Sequence, residues 1–415
     1  FDNAAVSRIT LRTGLLETEF VGYNRLKSIG KIQDILIDNQ STDSLQAGQE
    51  ASLILDVTPF YAEKGGQVGD AGIISSANGK FTVSDTIYFG NYVLHKGTLE
   101  EGEMAVGQEV EASVDERRRR DIAANHTATH LLQYALRKVL GQHVHQRGSQ
   151  VGPFEFRFDF SHLTAMTEEE VLQAQRIVND LIRNNLIVSA EQMPYSRAVE
   201  SGAIALFDEK YGDKVRVIKI GDPTISAELC GGTHVSATGQ IGFFQIVAES
   251  SIGSGLRRIQ GVTGKGAETL VEYNMASMNK IAQTLAASPA EAHRKVLELT
   301  RSLEESRKKI ASLEKEISRK SAGDLLDKVE MVDGVKLLAA RVDGIKADAL
   351  REMADTLKDK LGSGILVLAS VNEGKPAFIA MVTSDLVEKG YNAGNIIKKV
   401  AKITDGGGGG RPNMA

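Results

Sequence analysis

Two short runs far apart in the chain, His126-Thr-Ala-Thr-His130 and Cys230-Gly-Gly-Thr-His234, carry three imidazoles and a thiol as matched i,i+4 pairs. A fold that uses both pairs together has to bring the two runs to one point. The sequence holds a single cysteine and eight histidines, and the two runs take the cysteine and three of the histidines. An intrachain disulfide is therefore excluded, and a soft thiolate beside imidazoles suits Zn²⁺. His126 and His130, followed by Leu131, Leu132, Tyr134, Ala135 and Leu136, read as one face of an amphipathic helix, with its cap region expected within Asp121-Ile-Ala-Ala-Asn125. Gly231 and Gly232 predict a tight turn that swings Cys230 and His234 round to that face. The expected result is a tetrahedral site with Zn–N near ~2.0–2.1 Å and Zn–S near ~2.3 Å.

Each pair has a plainer explanation when taken singly: two surface histidines on a helix, or a polar turn. Four protein donors also leave open whether the metal is structural or catalytic, because a closed tetrahedron keeps no free position. A zinc peptidase is disfavoured, since His126-Thr-Ala-Thr-His130 lacks the glutamate that HExxH uses as general base.

A chain of 415 residues with 42% hydrophobic residues has enough apolar surface for two to four domains. Its net charge of −5 and pI of about 6.0 do not mark a nucleic-acid binder, so any RNA contact has to come from local clusters of Lys and Arg. Arg117 to Arg120 form one such cluster, though a run like this is more often a solvated helical face. No stretch approaches the roughly 20 apolar residues that cross a bilayer, and a metal-bound thiolate suits a reducing, cytoplasmic setting.

The reading along the chain is an α+β multidomain protein. Residues 1–112 alternate short apolar runs with glycine turns and predict a β-barrel domain; Gly65-Gly66 reads as a turn, since no helix or Lys-Ser/Thr ending follows as in a phosphate cradle. Residues 113–264 mix strands, such as Phe154 to Phe160, Lys214 to Ile220 and Phe243 to Ala248, with a helix over Glu168–Arg183, an α+β domain that carries the zinc set. Residues 265–328 read as a helical hairpin broken at Ser288-Pro289, with Val296, Leu299, Leu303, Ile310, Leu313 and Ile317 on a heptad-like seam that either packs within the chain or pairs two chains. Residues 329–415 read as a small α/β domain: strand 335–341, helix 347–361, strands 364–369 and 377–382, and a helix reaching Ile403.

The runs Asn125-His-Thr-Ala-Thr-His-Leu-Leu132, Gly148-Ser-Gln-Val151, Arg157-Phe-Asp-Phe-Ser-His162 and Glu228-Leu-Cys-Gly-Gly-Thr-His234 resemble, in order, the editing domain of alanyl-tRNA synthetase. That domain is shared with free-standing trans-editing proteins and, more distantly, with threonyl-tRNA synthetase. Thr58-Pro-Phe-Tyr-Ala-Glu-Lys-Gly-Gly-Gln-Val-Gly-Asp70 resembles the family's barrel segment, and the glycine run ending in Gly410-Arg-Pro-Asn-Met-Ala415 resembles the end of its DHH-associated domain. No counterpart of the family's aminoacylation domain is expected, so the chain reads as a carboxy-terminal portion without amino-acid activation.

The resemblance implies hydrolysis of serine or glycine wrongly esterified to the terminal ribose of tRNA(Ala). A pocket shaped for a methyl side chain cannot strongly reject glycine, and it rejects an added hydroxyl only by roughly 10². It also implies that Zn²⁺ held by His126, His130, Cys230 and His234 serves the reaction, with Gln146 and Thr127 in the pocket and Cys230 acting as a ligand, not as a nucleophile. Judged from the residues alone, Gln146 is a polar turn residue and Thr127 and Thr129 are helix-face residues. Asp159 and His162 lie in a family motif without an assigned role. Lys398, Lys399, Lys402 and Arg411 are the expected tRNA-binding residues, near a five-glycine run that by composition alone is a flexible loop. A homodimer through the helical and C-terminal regions is a further implication. The rival readings are a trans-editing deacylase and a tRNA-binding module with a structural zinc.

Overall fold

The computed structural model describes residues 9–204, 212–342, 344–372, 374–404 and 406–415. The protein is a mixed α+β chain in two compact units, Phe1–Ser277 and Met278–Ala415.

The first unit begins with six strands: β1 (Lys27–Ile37), β2 (Glu50–Leu55), β3 (Gly72–Ser75), β4 (Gly79–Phe89), β5 (Tyr92–Ala105) and β6 (Glu109–Val114). They pair antiparallel in the order β6-β3-β4-β5-β2-β1, and β6 then pairs with β1, which closes a barrel. Ile32, Ile35, Leu53, Leu55, Phe81 and Leu99 fill its interior. Period-two alternation is why the sequence reads this way, and closure leaves no unpaired edge.

Helix α1 (Glu116–Leu140) follows at once. Its cap is Asp115, whose carboxylate accepts from the Arg118 amide at 3.0 Å, so the helix starts earlier than the cap region expected at Asp121–Asn125. The arginine run therefore lies in the first turns of this helix. Strands β7 (Gln146–Val151) and β8 (Phe156–Ser161) and helix α2 (Glu168–Arg183) come next; α2 opens on a capping box of Thr167 and Glu170. Then come β9 (Val188–Pro194), β10 (Lys214–Ile220), β11 (Ser226–Leu229), β12 (Phe244–Gly253) and β13 (Leu256–Thr263). They form a four-stranded sheet β7-β8-β13-β12 and a three-stranded sheet β9-β10-β11. Phe156, Phe158 and Phe160 alternate onto the face of the first sheet, where they join Ile122, Leu132 and Leu136 of α1 and Val178 of α2 in one core. Burying each such ring is worth about 1.5–3 kcal/mol, which fixes α1 against the sheet. The boundary between the two units falls within α3 (Gly264–Thr284).

The second unit contains the long helix α4 (Ala292–Leu326), introduced by a capping box of Ser288 and Glu291. Val296, Leu299, Leu303, Ile310 and Leu313 remain between 43% and 56% exposed on it. Among the described residues the seam expected to close a hairpin is thus left about half exposed, because a period-matched apolar stripe specifies a face and not the partner that covers it. The side chain of Ile317 lies outside the described residues. Strands β14 (Glu330–Val332), β15 (Val335–Arg341), β16 (Ile365–Asn372) and β17 (Lys375–Val382) form a sheet in that order, parallel only between β15 and β16. Helix α5 (Ala347–Leu361) supplies the β15–β16 crossover, and α6 (Ala393–Lys402) follows β17. The element order read from the sequence is present, with β14 and a short helical turn at Ser384–Glu388 added.

Candidate metal centre and cleft

The site lies wholly in the first unit. His126 and His130 are buried on one face of α1, their rings 5.6 Å apart and nearly parallel. β11 delivers Cys230, and the turn after it brings the His234 ring to 4.5 Å from that of His126 and 5.0 Å from that of His130. The turn can approach so closely because position 232 is glycine: a Cβ there would sit 2.0 Å from His126 Cε1. Cys230 Sγ lies 3.3 Å from Nε2 of both His126 and His234, and the four donor atoms lie within 4.8 Å of one another. A tetrahedron with the bond lengths given above has edges of about 3.4–3.6 Å, which the two sulfur–nitrogen distances of 3.3 Å already approach.

Outer contacts at Nδ1 orient all three imidazoles, two through hydrogen bonds and one through an ion pair. Gln67 Oε1 accepts from the Thr233 amide at 2.9 Å, so it must be oxygen, and it therefore accepts from His126 Nδ1 at 2.7 Å. Thr127 Oγ1 donates to the Ala123 carbonyl at 2.8 Å, so it accepts from His234 Nδ1 at 3.1 Å. Glu228 Oε2 lies 2.6 Å from His130 Nδ1 as its ion-pair partner, and the Ser226 hydroxyl holds the other carboxylate oxygen, Oε1, at 2.8 Å. A ring whose Nδ1 keeps its proton in such a contact ligates through the lone pair of Nε2, which faces the common point. His130 Nε2 is buried with no hydrogen-bond partner, the state expected of a ligand atom awaiting its cation.

The electrostatics favour a thiolate and a neutral His234, while at His130 a cation has to displace a proton. Burial opposes ionisation of the Cys230 thiol, but His126 and His234 facing it bring it well below its ordinary range. Burial pushes His234 down to about 3. For His130 burial also disfavours the charge, but the Glu228 carboxylate outweighs it and raises the group to about 10.

The cluster opens on a cleft of about 310 Å³. Gln146 and Ser149 both line it although they are an odd number of positions apart. The reason is a bulge at Arg147: Gln146 pairs with Phe160 and Gly148 with Asp159, so the extra residue reverses the alternation and turns both side chains to one side. Thr129 also lines the cleft, its hydroxyl bonded to the His126 carbonyl at 2.7 Å. Thr127 does not: it is fully buried and its hydroxyl is spent on His234, so the expectation of a pocket contact is corrected to a hold on a metal-site imidazole.

The barrel supplies the other wall. Gly65 and Gly66 form a turn at φ +59° and +82°, and Gly66 packs so tightly on the Ser149 carbonyl that a Cβ would lie 2.1 Å from it. Tyr23 donates to the Gly231 carbonyl at 2.6 Å, and Arg216 lies 4.0 Å from the Tyr23 ring while its Nη1 donates to the carbonyls of Cys230 and Gly232 at 3.1 and 2.7 Å. Gln67, Glu228, Arg216 and Tyr23 are functional neighbours that reading the sequence did not single out. Gln67 and Glu228 lie inside the quoted motifs, yet nothing in their spacing betrays which histidine each will meet.

Other expectations come out differently. Arg119 does not face solvent: it is buried against Asp70 and donates to the carbonyls of Gly22 at 2.7 Å and Pro59 at 2.8 Å, which ties α1 to the barrel. Asp159 is held by Arg258 at 2.6 and 2.8 Å, and His162 Nδ1 lies 3.0 Å from His143 Nε2. In the second unit Lys398, Lys399 and Lys402 are exposed on α6, and Arg411 is exposed just beyond the glycine run. That run is not a free linker, since a Cβ at Gly408 would meet Ile397 at 2.5 Å and one at Gly410 would meet Ala415 at 2.4 Å. No helix of the described residues is long and apolar enough to cross a membrane.

Comparison with known proteins adds independent findings. Residues 3–118 match the family model of tRNA synthetases class II (A), residues 215–260 that of the threonyl and alanyl tRNA synthetase second additional domain, and residues 334–415 the DHHA1 domain. The first match falls on the barrel, where Thr58 to Asp70 resembles the family's barrel segment. An alanine–tRNA ligase of Dehalococcoides mccartyi strain 195 is 52% identical over 418 residues, covering 100% of this chain and 48% of the relative. Those of Thermoanaerobacter sp. strain X514 and Acetivibrio thermocellus are each 44% identical over 402 residues, covering 97% and 96% of this chain and 46% and 45% of the relatives. The chain spans about half the length of the curated relatives it matches.

Proposed function

The chain belongs to the alanyl-tRNA synthetase family, and on that premise we propose that its first unit proofreads: it hydrolyses the ester between a wrongly attached serine or glycine and the terminal ribose of tRNA(Ala). The observation that carries this reading is the convergence of Cys230 Sγ and three imidazoles on a cleft whose wall presents the Gln146 amide.

His126, His130, Cys230 and His234 would hold Zn²⁺, which supplies Lewis-acid polarisation of an ester carbonyl or of water. Gln67, Glu228 and Thr127 orient the three imidazoles. Gln146, with both a donor and an acceptor, orients the attacking water or the serine hydroxyl. Water adds to the ester carbonyl carbon, the bond to the ribose oxygen breaks, the ribose oxygen takes up a proton and the amino acid leaves. Cys230 is not the nucleophile in this scheme, because its thiolate electrons are committed to the metal. Discrimination by size alone would fail, since serine is larger than alanine and glycine smaller, so the pocket has to read the hydroxyl as well as volume.

We read residues 1–112 as the barrel, 113–264 as the editing domain, 265–328 as a helical linker and 329–415 as the DHH-associated domain, with Lys398, Lys399, Lys402 and Arg411 on tRNA and the exposed α4 seam joining two chains. A second reading, a tRNA-binding module with a structural zinc, is favoured by the count of four protein donors, which closes the shell. Deacylation of matched Ser-, Gly- and Ala-tRNA(Ala), with metal content measured in parallel, separates the two. Proofreading requires turnover of the first two in preference to the third, and Cys230→Ala to lose both metal and turnover. A metal-loaded chain that hydrolyses none of them is the structural module.

A further inference from the structure

Three tyrosines of the barrel side, Tyr23, Tyr61 and Tyr88, line the same cleft as Cys230, His126 and His130. Two of them are already committed. Tyr61 is 4% exposed and its hydroxyl donates to the Lys64 carbonyl at 3.1 Å; Tyr23 is bonded to Gly231 and covered by Arg216. Tyr88 is different. It stands on the outward face of β4, 41% exposed, and among the described residues its hydroxyl has no hydrogen-bond partner. The cation of Lys64 lies 5.9 Å from its ring centroid. Lone exposed aromatics are ordinary on protein surfaces. An aromatic face left open inside the cleft that holds the metal donors, beside Lys64, Lys214 and Arg216, is a surface for a flat, electron-rich ring attached to phosphate.

We propose that Tyr88 is the stacking platform of a nucleobase subsite, which seats the terminal purine of an aminoacylated RNA while its ribose ester lies at the metal donors. The inference rests on the proofreading reading for the identity of the ester and adds to it the element that recognises the base. It makes the barrel a part of the substrate site. Lys64 contributes twice: it polarises the Tyr88 ring and meets the phosphate that precedes the terminal nucleoside. Base stacking on an aromatic side chain is sequence-tolerant, so this subsite anchors the end of the strand and leaves discrimination of serine, glycine and alanine to the residues around Gln146.

The test uses the 415-residue chain and 3′-(L-serylamino)-3′-deoxyadenosine, whose amide replaces the labile ester, together with the same compound lacking its base. Titration calorimetry follows both ligands on the unaltered protein, Tyr88→Ala and Tyr88→Phe, with zinc content measured for each. Tyr88→Ala should weaken the adenosine probe roughly 5- to 150-fold, the range for loss of one stacked base, at unchanged zinc content. Tyr88→Phe, which keeps the ring, should restore most of the affinity, and the abasic probe should not distinguish the three proteins. Equal affinity of Tyr88→Ala for the adenosine probe, an equal loss with the abasic probe, or no binding of the adenosine probe to the unaltered protein would each overturn the subsite. Turnover of Ser-tRNA(Ala) tells the two readings apart. Tyr88-dependent probe binding without turnover removes proofreading and keeps the subsite; turnover in Tyr88→Ala at an unchanged KM removes the subsite and keeps proofreading.

Discussion

Gln67 of the barrel and His126 of α1 share a 2.7 Å hydrogen bond in which the side-chain amide oxygen holds the imidazole Nδ1 proton, and the same oxygen accepts from the Thr233 amide of the cysteine turn. One side chain thus fixes the orientation of a metal donor on the helix and the path of the turn that carries two others. Glu228 does the corresponding work for His130. Each acceptor orients a different ring.

Replacing either acceptor by alanine should lower zinc affinity about 10- to 100-fold, the usual consequence of deleting a group that orients a metal ligand. Gln67→Ala and Glu228→Ala act on imidazoles 5.6 Å apart in one donor cluster, so the double variant should depart from additivity in the free energy of metal binding. Competition with a chromogenic chelator measures both, and an unchanged affinity in either single variant would show that ring orientation is set elsewhere.

Gln146 lines the cleft and is not one of the four clustered donors. Gln146→His should therefore cut hydrolysis of Ser-tRNA(Ala) about 10²-fold or more while the protein still carries its zinc, in keeping with the contribution of a positioned proton-handling or water-orienting group. Metal analysis of the purified variant decides the matter: loss of zinc would move Gln146 from the pocket to the scaffold.

The half-exposed stripe of Val296, Leu299, Leu303, Ile310 and Leu313 predicts self-association of the chain. Sedimentation velocity should show a species of twice the chain mass that Leu299→Glu together with Leu303→Glu dissociates. A monomer across the accessible concentration range in the unaltered protein would rule the seam out as a contact between copies.

His95 provides a pH test remote from the cleft. Burial in the barrel lowers it to about 4, and its two nitrogens are engaged by the Leu53 carbonyl at 2.9 Å and the Thr58 hydroxyl at 2.7 Å. Between about pH 6.5 and 4 the unfolded chain binds a proton that the folded barrel refuses, so stability is full above this window and falls as the pH drops through it, by about 3 kcal/mol in total. Amide-exchange protection of β1 and β2, corrected for intrinsic rates, should decline accordingly at pH 5 relative to pH 7. His95→Gln should flatten that decline, and the same slope in the variant would assign it to other groups.

Much of this structure is legible in the residues, and the parts that are not share a cause. Helices over Glu168–Arg183 and Ala347–Leu361 run where apolar spacing places them, because local periodicity and caps decide them. The two metal-donor pairs announce their own convergence, since three imidazoles and the lone thiol have few other uses in common. The start of α1 is hidden by its arginines: a basic run reads as solvated, and nothing local says that Arg119 will turn inward to Asp70, a residue of the barrel. The bulge at Arg147, the reach of Gln67 to His126 and the placement of Thr127 behind His234 depend on contacts between segments far apart in the chain, for which spacing carries no mark.

The order of the donors along the polypeptide has a bearing on how the protein is made. Gln67 and the barrel leave the ribosome before either α1 histidine, and the thiol follows roughly a hundred residues behind them. A nascent chain therefore presents a folded cradle with half a chelate, and it can capture its ion at full strength only after His234 has cleared the exit tunnel.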